Sequence, residues 1–189
     1  MATLIRNGLI VTGENVFAGD LLIKNGKITE IGTGTTKLTE EIYDAAGKYV
    51  LPGGVDGSVR LGCEQAGIPV SDDFESGSRA AALGGTTTVL GAASALKGSF
   101  RRGLEEQAKS TEGKSAVDYS FHAALNSFNE RTTGEIPLLV KAGVTSFLAY
   151  LDHMEAQLHE GHLFQILRAV AENAGIVGIH AGAHALAQC

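Results

Sequence analysis

The sequence predicts an α/β protein in two parts, a small antiparallel β region followed by βαβ units on a parallel sheet. Three observations carry this expectation. Short β-branched runs alternate with turn signals up to about Pro52. Beyond it, strand-like and helix-like segments alternate. The 25 glycines and the absence of tryptophan suit a chain with many tight connections. The boundary divides the chain into residues 1–51 and 52–189.

In the first part, Thr3–Ile5, Leu9–Thr12, Asp20–Lys24, Lys27–Ile31 and Tyr43–Ala45 read as strands. Asn7-Gly8, Thr12-Gly13, Asn25-Gly26 and Gly32–Gly34 separate them. Asn25-Gly26 between two alternating runs predicts a tight hairpin, because both central residues of such a turn must tolerate positive φ. The first fifty residues are therefore expected to be antiparallel β.

After Pro52 the strand Val55–Leu61 precedes a helical pattern over Ser71–Leu83, and Thr86–Leu90 precedes Ser99–Ser110. Asp118–Leu125 is followed by Ile136–Lys141, Ser146–Leu151 by His162–Asn173, and Ile176–His180 by the last residues. Ser71-Asp72-Asp73 offers a helix cap with acids in the first turn. Gly84-Gly85, Gly143 and Gly175 each stop a helix before the next strand. Leu163, Ile166, Leu167 and Val170 fall on one helical stripe, the face that packs on a sheet.

Composition narrows the function. With 15 basic against 21 acidic residues the net charge is −6, and no basic cluster exceeds Arg101-Arg102. Nucleic acid and anionic membrane surfaces are therefore not expected partners. The two cysteines, Cys63 and Cys189, form no Cys-x-x-Cys pair, which suits a reducing compartment. No long apolar signal region opens the sequence and no stretch approaches a membrane span, so a cytoplasmic protein is expected.

Three stretches carry a resemblance: "YDAAGKYVLPGGVD" (43–56), "SDDFESGSRAAALGGTTTV" (71–89) and "GVTSF" (143–147). They are similar to the corresponding parts of hydantoinases and dihydropyrimidinases, cyclic amidohydrolases with a small β-sandwich and a (β/α)₈ barrel. The likeness runs from Leu4 to about His180. It implies a partial TIM-type barrel of about five βα units with a small N-terminal antiparallel β-sandwich part, since a closed barrel takes about 250 residues. It also implies chemistry by a hydroxide held between two metal ions.

The residues at the implied metal positions depart from that pattern. The family's first barrel strand carries Asp-x-His-x-His, whose alternation aims both imidazoles at the metals. This chain has Asp56, Ser58 and Arg60 there. A lysine, carboxylated in the family, should follow Ser146-Phe147, and Leu148 stands in its place. His180 keeps a ligand position, yet the Glu-Asn that follows in the family is Gly182-Ala183 here. A family tyrosine aligns near His153, and the remaining ligands are expected on later strands.

Other residues have plainer readings. His180 reads as a polar barrel residue or an ancestral remnant. His159-x-x-His162 and His180-x-x-x-His184 have ligand-like spacing, but six histidines in this length produce such pairs by chance. Cys63 lacks an accompanying His/Asn set and reads as a small rim residue. Arg60 can clamp an anion or pair with Asp56, and the pairing is the expectation. The collapsin response mediator proteins offer a precedent: they resemble hydantoinases, lack part of the metal site, carry a leucine after Ser-Phe and are non-catalytic. The resemblance with these losses implies a non-catalytic protein with no metal or other cofactor, acting as a subunit or assembly element. Its expected partner is a second copy or a barrel-completing chain. Two alternatives stay open: one half of a split cyclic amidohydrolase, or a small-ligand module using Asp56 and Arg60.

Overall fold

The computed structural model describes residues 2–34, 41–65, 68–125, 128–129, 131–151, 158 and 160–180. The chain forms two units, residues 1–53 and 54–189.

The first unit holds β1 (Ala2–Val11), β2 (Val16–Lys24), β3 (Lys27–Gly32), β4 (Glu41–Asp44) and β5 (Tyr49–Val50). Their order is β3-β2-β1-β4, with β5 also on β1. Asn25 and Gly26 have φ of 50° and 73°, the hairpin turn expected, and they join β2 to β3 antiparallel. The sheet is mixed, however, and not the antiparallel one the sequence suggests: β4 and β5 pair with β1 in parallel. The chain crosses from β3 to the far side of β1 before β4 begins, and a crossover delivers a strand in the same direction. Among the described residues this unit is a single sheet, not two packed ones.

Thr3–Ile5 and Leu9–Thr12 also merge into the one strand β1, interrupted by a bulge. Ile5 faces Leu21 and Gly8 faces Gly19, so β1 spends one residue more than β2 between these pairs. Asn7 takes φ 60° there, and its N–H donates to Oδ1 of the buried Asp20 at 2.9 Å.

The second unit contains β6 (Gly54–Asp56), β7 (Glu64–Gln65), β8 (Ile68–Pro69), α1 (Phe74–Leu83), β9 (Thr86–Ser94) and α2 (Phe100–Thr111). It continues with β10 (Asp118–Leu125), α3 (Thr132–Lys141), β11 (Ser146–Tyr150), α4 (Glu160–Glu172) and β12 (Ile176–His180). The large sheet runs β12-β11-β10-β9-β6 and every pairing in it is parallel. β7 and β8 make a separate hairpin of two residues per strand, too short for any alternation in the sequence.

Local chemistry starts the helices where the caps suggest. Asp73 accepts from the Ser76 N–H at 2.8 Å while the Ser76 hydroxyl accepts from the Asp73 N–H at 3.2 Å, a reciprocal capping box. Glu135 on α3 caps a different helix, accepting the N–H groups of Phe100 at 2.8 Å and Arg101 at 3.4 Å at the start of α2. Gly175 is present for space and not for φ, since Ala174 adopts the left-handed φ of 56°. A Cβ on Gly175 would stand 2.7 Å from Val170 Cγ1 and 3.1 Å from the Thr145 carbonyl oxygen.

The helices bury one face of the sheet. Ala123 and Leu125 of β10 and Phe147 of β11 pack with Phe100 of α2, Ile136 and Leu139 of α3, and Ile166 and Val170 of α4. Phe74 of α1, Ala93 of β9 and Phe121 of β10 form a second cluster. Strand alternation therefore sends Ser120, His122 and Ala124 of β10, and Ser146, Leu148 and Tyr150 of β11, to the opposite, inner face.

Candidate functional site

The first barrel strand is shorter than its apolar alternation suggests. β6 ends at Asp56, whose Oδ1 accepts from the Ser58 N–H at 3.0 Å, a local turn that lifts the chain off the ladder at Gly57. The backbone then returns to β9, where the Val59 N–H donates to the Leu90 carbonyl at 2.9 Å. Asp56, Ser58 and Arg60 are all exposed. The expected Asp56–Arg60 ion pair does not form: Asp56 is engaged by the Ser58 amide, and Arg60 has no ion pair among the described residues.

Leu148 lies on the inner face, between Ala124 and Gly178 in register. Its side chain spreads over Gly178, where an added Cβ would meet Leu148 Cδ2 at 2.8 Å. His180, at the end of β12, stands opposite Tyr150, with ring centroids 5.6 Å apart and planes tilted by 32°. His162 is stacked on Phe128 at 4.3 Å and 12°. Its spacing partner His159 lies outside the described residues, as do His153, Gly182, Ala183, His184 and Cys189.

The donor chemistry at Ser58, Arg60 and Leu148 does not fit a pair of divalent cations. A neutral hydroxyl is a weak ligand, a guanidinium repels the metal, and an isobutyl group has no lone pair. Among the described residues no group of three or more His, Cys, Asp or Glu side chains could hold a metal ion. Cys63, half-buried with a free thiol, lines an open cavity of about 410 Å³ with Asp72, Asp73 and Ser76. Among the described residues no histidine lines that cavity to serve as the thiol's partner. The Ser76 backbone N–H, and then its side chain, hold the Asp73 carboxyl below the usual carboxylate range.

One inner-face residue escaped sequence reasoning. His122 places Nε2 2.9 Å from the Gly57 carbonyl oxygen and Nδ1 2.7 Å from Ser146 Oγ. The available signal was alternation: His122 sits between Phe121 and Ala123, both on the helix side, and so had to face inward.

A parallel sheet with helices on one face and polar residues on the other defines a half-barrel of the α/β class. Comparison with known proteins narrows that class. The D-hydantoinase of Streptomyces coelicolor is 38% identical over 186 residues, which cover 95% of this chain and 40% of that one. A crystal structure of a D-hydantoinase superposes with a TM-score of 0.91 at 35% identity, over 96% of this chain and 40% of the other. The dihydropyrimidinase from Brevibacillus agri gives a TM-score of 0.91 at 32% identity over the same shares. No family model matches the chain. The chain is a homologue of the hydantoinases, and it spans about 40% of the length of the relatives it matches. Among the described residues no helix is long and apolar enough to cross a membrane.

Proposed function

We propose that the chain is a non-catalytic, metal-free relative of the hydantoinases that acts as a subunit or assembly element in the cytoplasm. The observation that carries this reading is the residue set Ser58, Arg60 and Leu148, at three positions where the likeness implies metal ligands. Without a metal, water keeps a pKa near 15.7 in place of about 7, and almost no hydroxide exists at neutral pH to open a cyclic amide. His180 alone does not hold a cation against water and competing ligands. Asp56 and Arg60, both exposed, remain the candidates for contact with a small polar ligand.

The assembly role is supported by the ends of the parallel sheet. Among the described residues β12 pairs only with β11, and Ile176 on it is 73% exposed. An apolar strand edge of this kind pairs with another chain or is covered. A second copy or a barrel-completing chain fits that edge, and neither nucleic acid nor membrane is part of the reading.

A second reading, one half of a split cyclic amidohydrolase, is favoured by the close superposition on hydantoinase structures over 96% of this chain. One experiment separates the two. Elemental analysis after purification without chelators, run beside a hydantoin, dihydropyrimidine and dihydroorotate ring-opening assay, is expected to find no stoichiometric zinc and no turnover. Zinc at one or more per chain, lost on His180→Ala, would refute the metal-free reading. Turnover that appears only when a partner chain is added would establish the split enzyme.

A further inference from the structure

We infer that His122 is the positioning residue that fastens segment 57–60, and with it Ser58 and Arg60, to the inner face of the sheet. The inference follows from accounting for the backbone hydrogen bonds of that segment. The Ser58 N–H bonds locally to Asp56, and the Val59 N–H bonds to the neighbouring strand at Leu90. The Gly57 carbonyl is held by a side chain from β10, a strand separated from β6 by the whole of β9. The Ser58 and Arg60 side chains form no hydrogen bond among the described residues, so they do not anchor their own segment.

The geometry fixes the chemistry of the fastener. A carbonyl oxygen only accepts, so His122 Nε2 carries a hydrogen and donates to Gly57. In the neutral ring Nδ1 then bears the lone pair, and the Ser146 hydroxyl donates to it at 2.7 Å. The register neighbour of His122 on β9 is Ala92, a methyl that leaves room for the imidazole to lie across that strand. A single hydrogen-bonded line thus runs from β11 through β10 and over β9 to the tail of β6. Ser146 orients the ring, and the ring sets where the chain after Asp56 stands. This holds whether or not the chain binds a metal.

Amide hydrogen exchange on the full chain tests it, with Val59 as reporter and Phe147 and Ala149 of β11 as controls. Glutamine places its amide nitrogen near the ring Nε2 position, and asparagine places its own near Nδ1. His122→Gln is expected to keep Val59 protection within about twofold of wild type, and His122→Asn to lower it about tenfold, with the β11 amides unchanged in both. Ser146→Ala, which keeps the ring but removes its second anchor, is expected to lower Val59 protection about threefold. Equal Val59 protection in His122→Asn and wild type would overturn the inference. So would an equal loss in His122→Gln and His122→Asn, or a loss shared by the β11 controls.

Discussion

Gly103→Ala tests how tightly α2 lies on the end of β9, and the expected sign opposes helix propensity. Gly103 is an interior residue of α2, where alanine is ordinarily better by about 1 kcal/mol and also restricts the unfolded chain. Here a Cβ would overlap the Ser94 carbonyl oxygen and stand 2.9 Å from the Ser94 carbonyl carbon and 3.2 Å from the Leu96 nitrogen. All three are backbone atoms, so no rotamer change relieves the clash. The helix must move off the sheet by roughly 1 Å, which loosens Phe100, at 1% exposure one of the best-buried residues of the core. Overpacking costs about 1–3 kcal/mol, and backbone overlap puts this case at the upper end. Subtracting the propensity gain leaves a net loss of about 1–2 kcal/mol, or a midpoint lowered by roughly 2–8 °C in a protein of this size. Urea and thermal unfolding followed by circular dichroism read the change. Gly134→Ala in α3 is the control: an added Cβ there meets nothing within 4 Å, and a gain of about 0.5–1 kcal/mol is expected. A Gly103→Ala variant as stable as wild type, beside a control that behaves, would refute the close-approach reasoning.

Glu135→Ala removes the carboxylate that caps α2 from a neighbouring helix and is expected to cost about 1–2 kcal/mol by urea titration, with Glu135→Gln retaining part of it. The Asp73 carboxyl, held low first by the Ser76 backbone N–H, favours folding above its unfolded value of 3.8, and that stability is lost as pH falls through the lowered folded value. Asp73→Asn keeps a capping oxygen without the titration, so its stability is expected to fall less than wild type between pH 7 and pH 3. Light scattering at micromolar concentration is expected to find the chain associated, and Ile176→Lys to reduce its mass. Ile176 is the better probe than Val177, because Val177 packs against the helix-side core. A monomer indifferent to the lysine would show that β12 is not the contact.

β10 and β12 were legible to the residue, β10 because polar and apolar residues alternate through most of it and β12 because it is a short apolar run that follows a glycine. α1 and α2 begin where Asp73 and Ser99 offer side-chain oxygens, although their first residues shift inward because a cap precedes the helix it starts. α3 begins at Thr132, earlier than the apolar pattern at Ile136 suggests, since its first turn is polar. The direction of β4 and β5 was not legible, because alternation gives the faces of a strand but not its sense relative to a partner. β6 was overread for a related reason: Val55, Val59 and Leu61 look like one alternating run, and only the Asp56 turn breaks it. The site was least legible at His122, whose partners Gly57 and Ser146 lie 65 and 24 residues away in sequence. Periodicity places a side chain on a face, but it does not say which distant atom it will find there.

The bulge in β1 bears on how the chain tolerates insertion and deletion. Leu4 faces Leu22 and Ile10 faces Phe17, and because β2 has no extra residue between these pairs, Leu4 and Ile10 lie on opposite sides of the sheet despite their even spacing. Both are buried, each 3% exposed, so one ten-residue strand seals two surfaces. Removing Asn7 would restore an unbroken ladder and look harmless as a one-residue change in a polar stretch. The faces would not change: Arg6 would come opposite Asp20 while Gly8 still faces Gly19 and Ile10 still faces Phe17, so every residue keeps its side. The irregular residue is thus the one the strand can lose without turning a side chain over, at the cost of the bond from its backbone amide to the Asp20 carboxylate, whereas a deletion beyond it that leaves the bulge in place would turn over the rest of the strand.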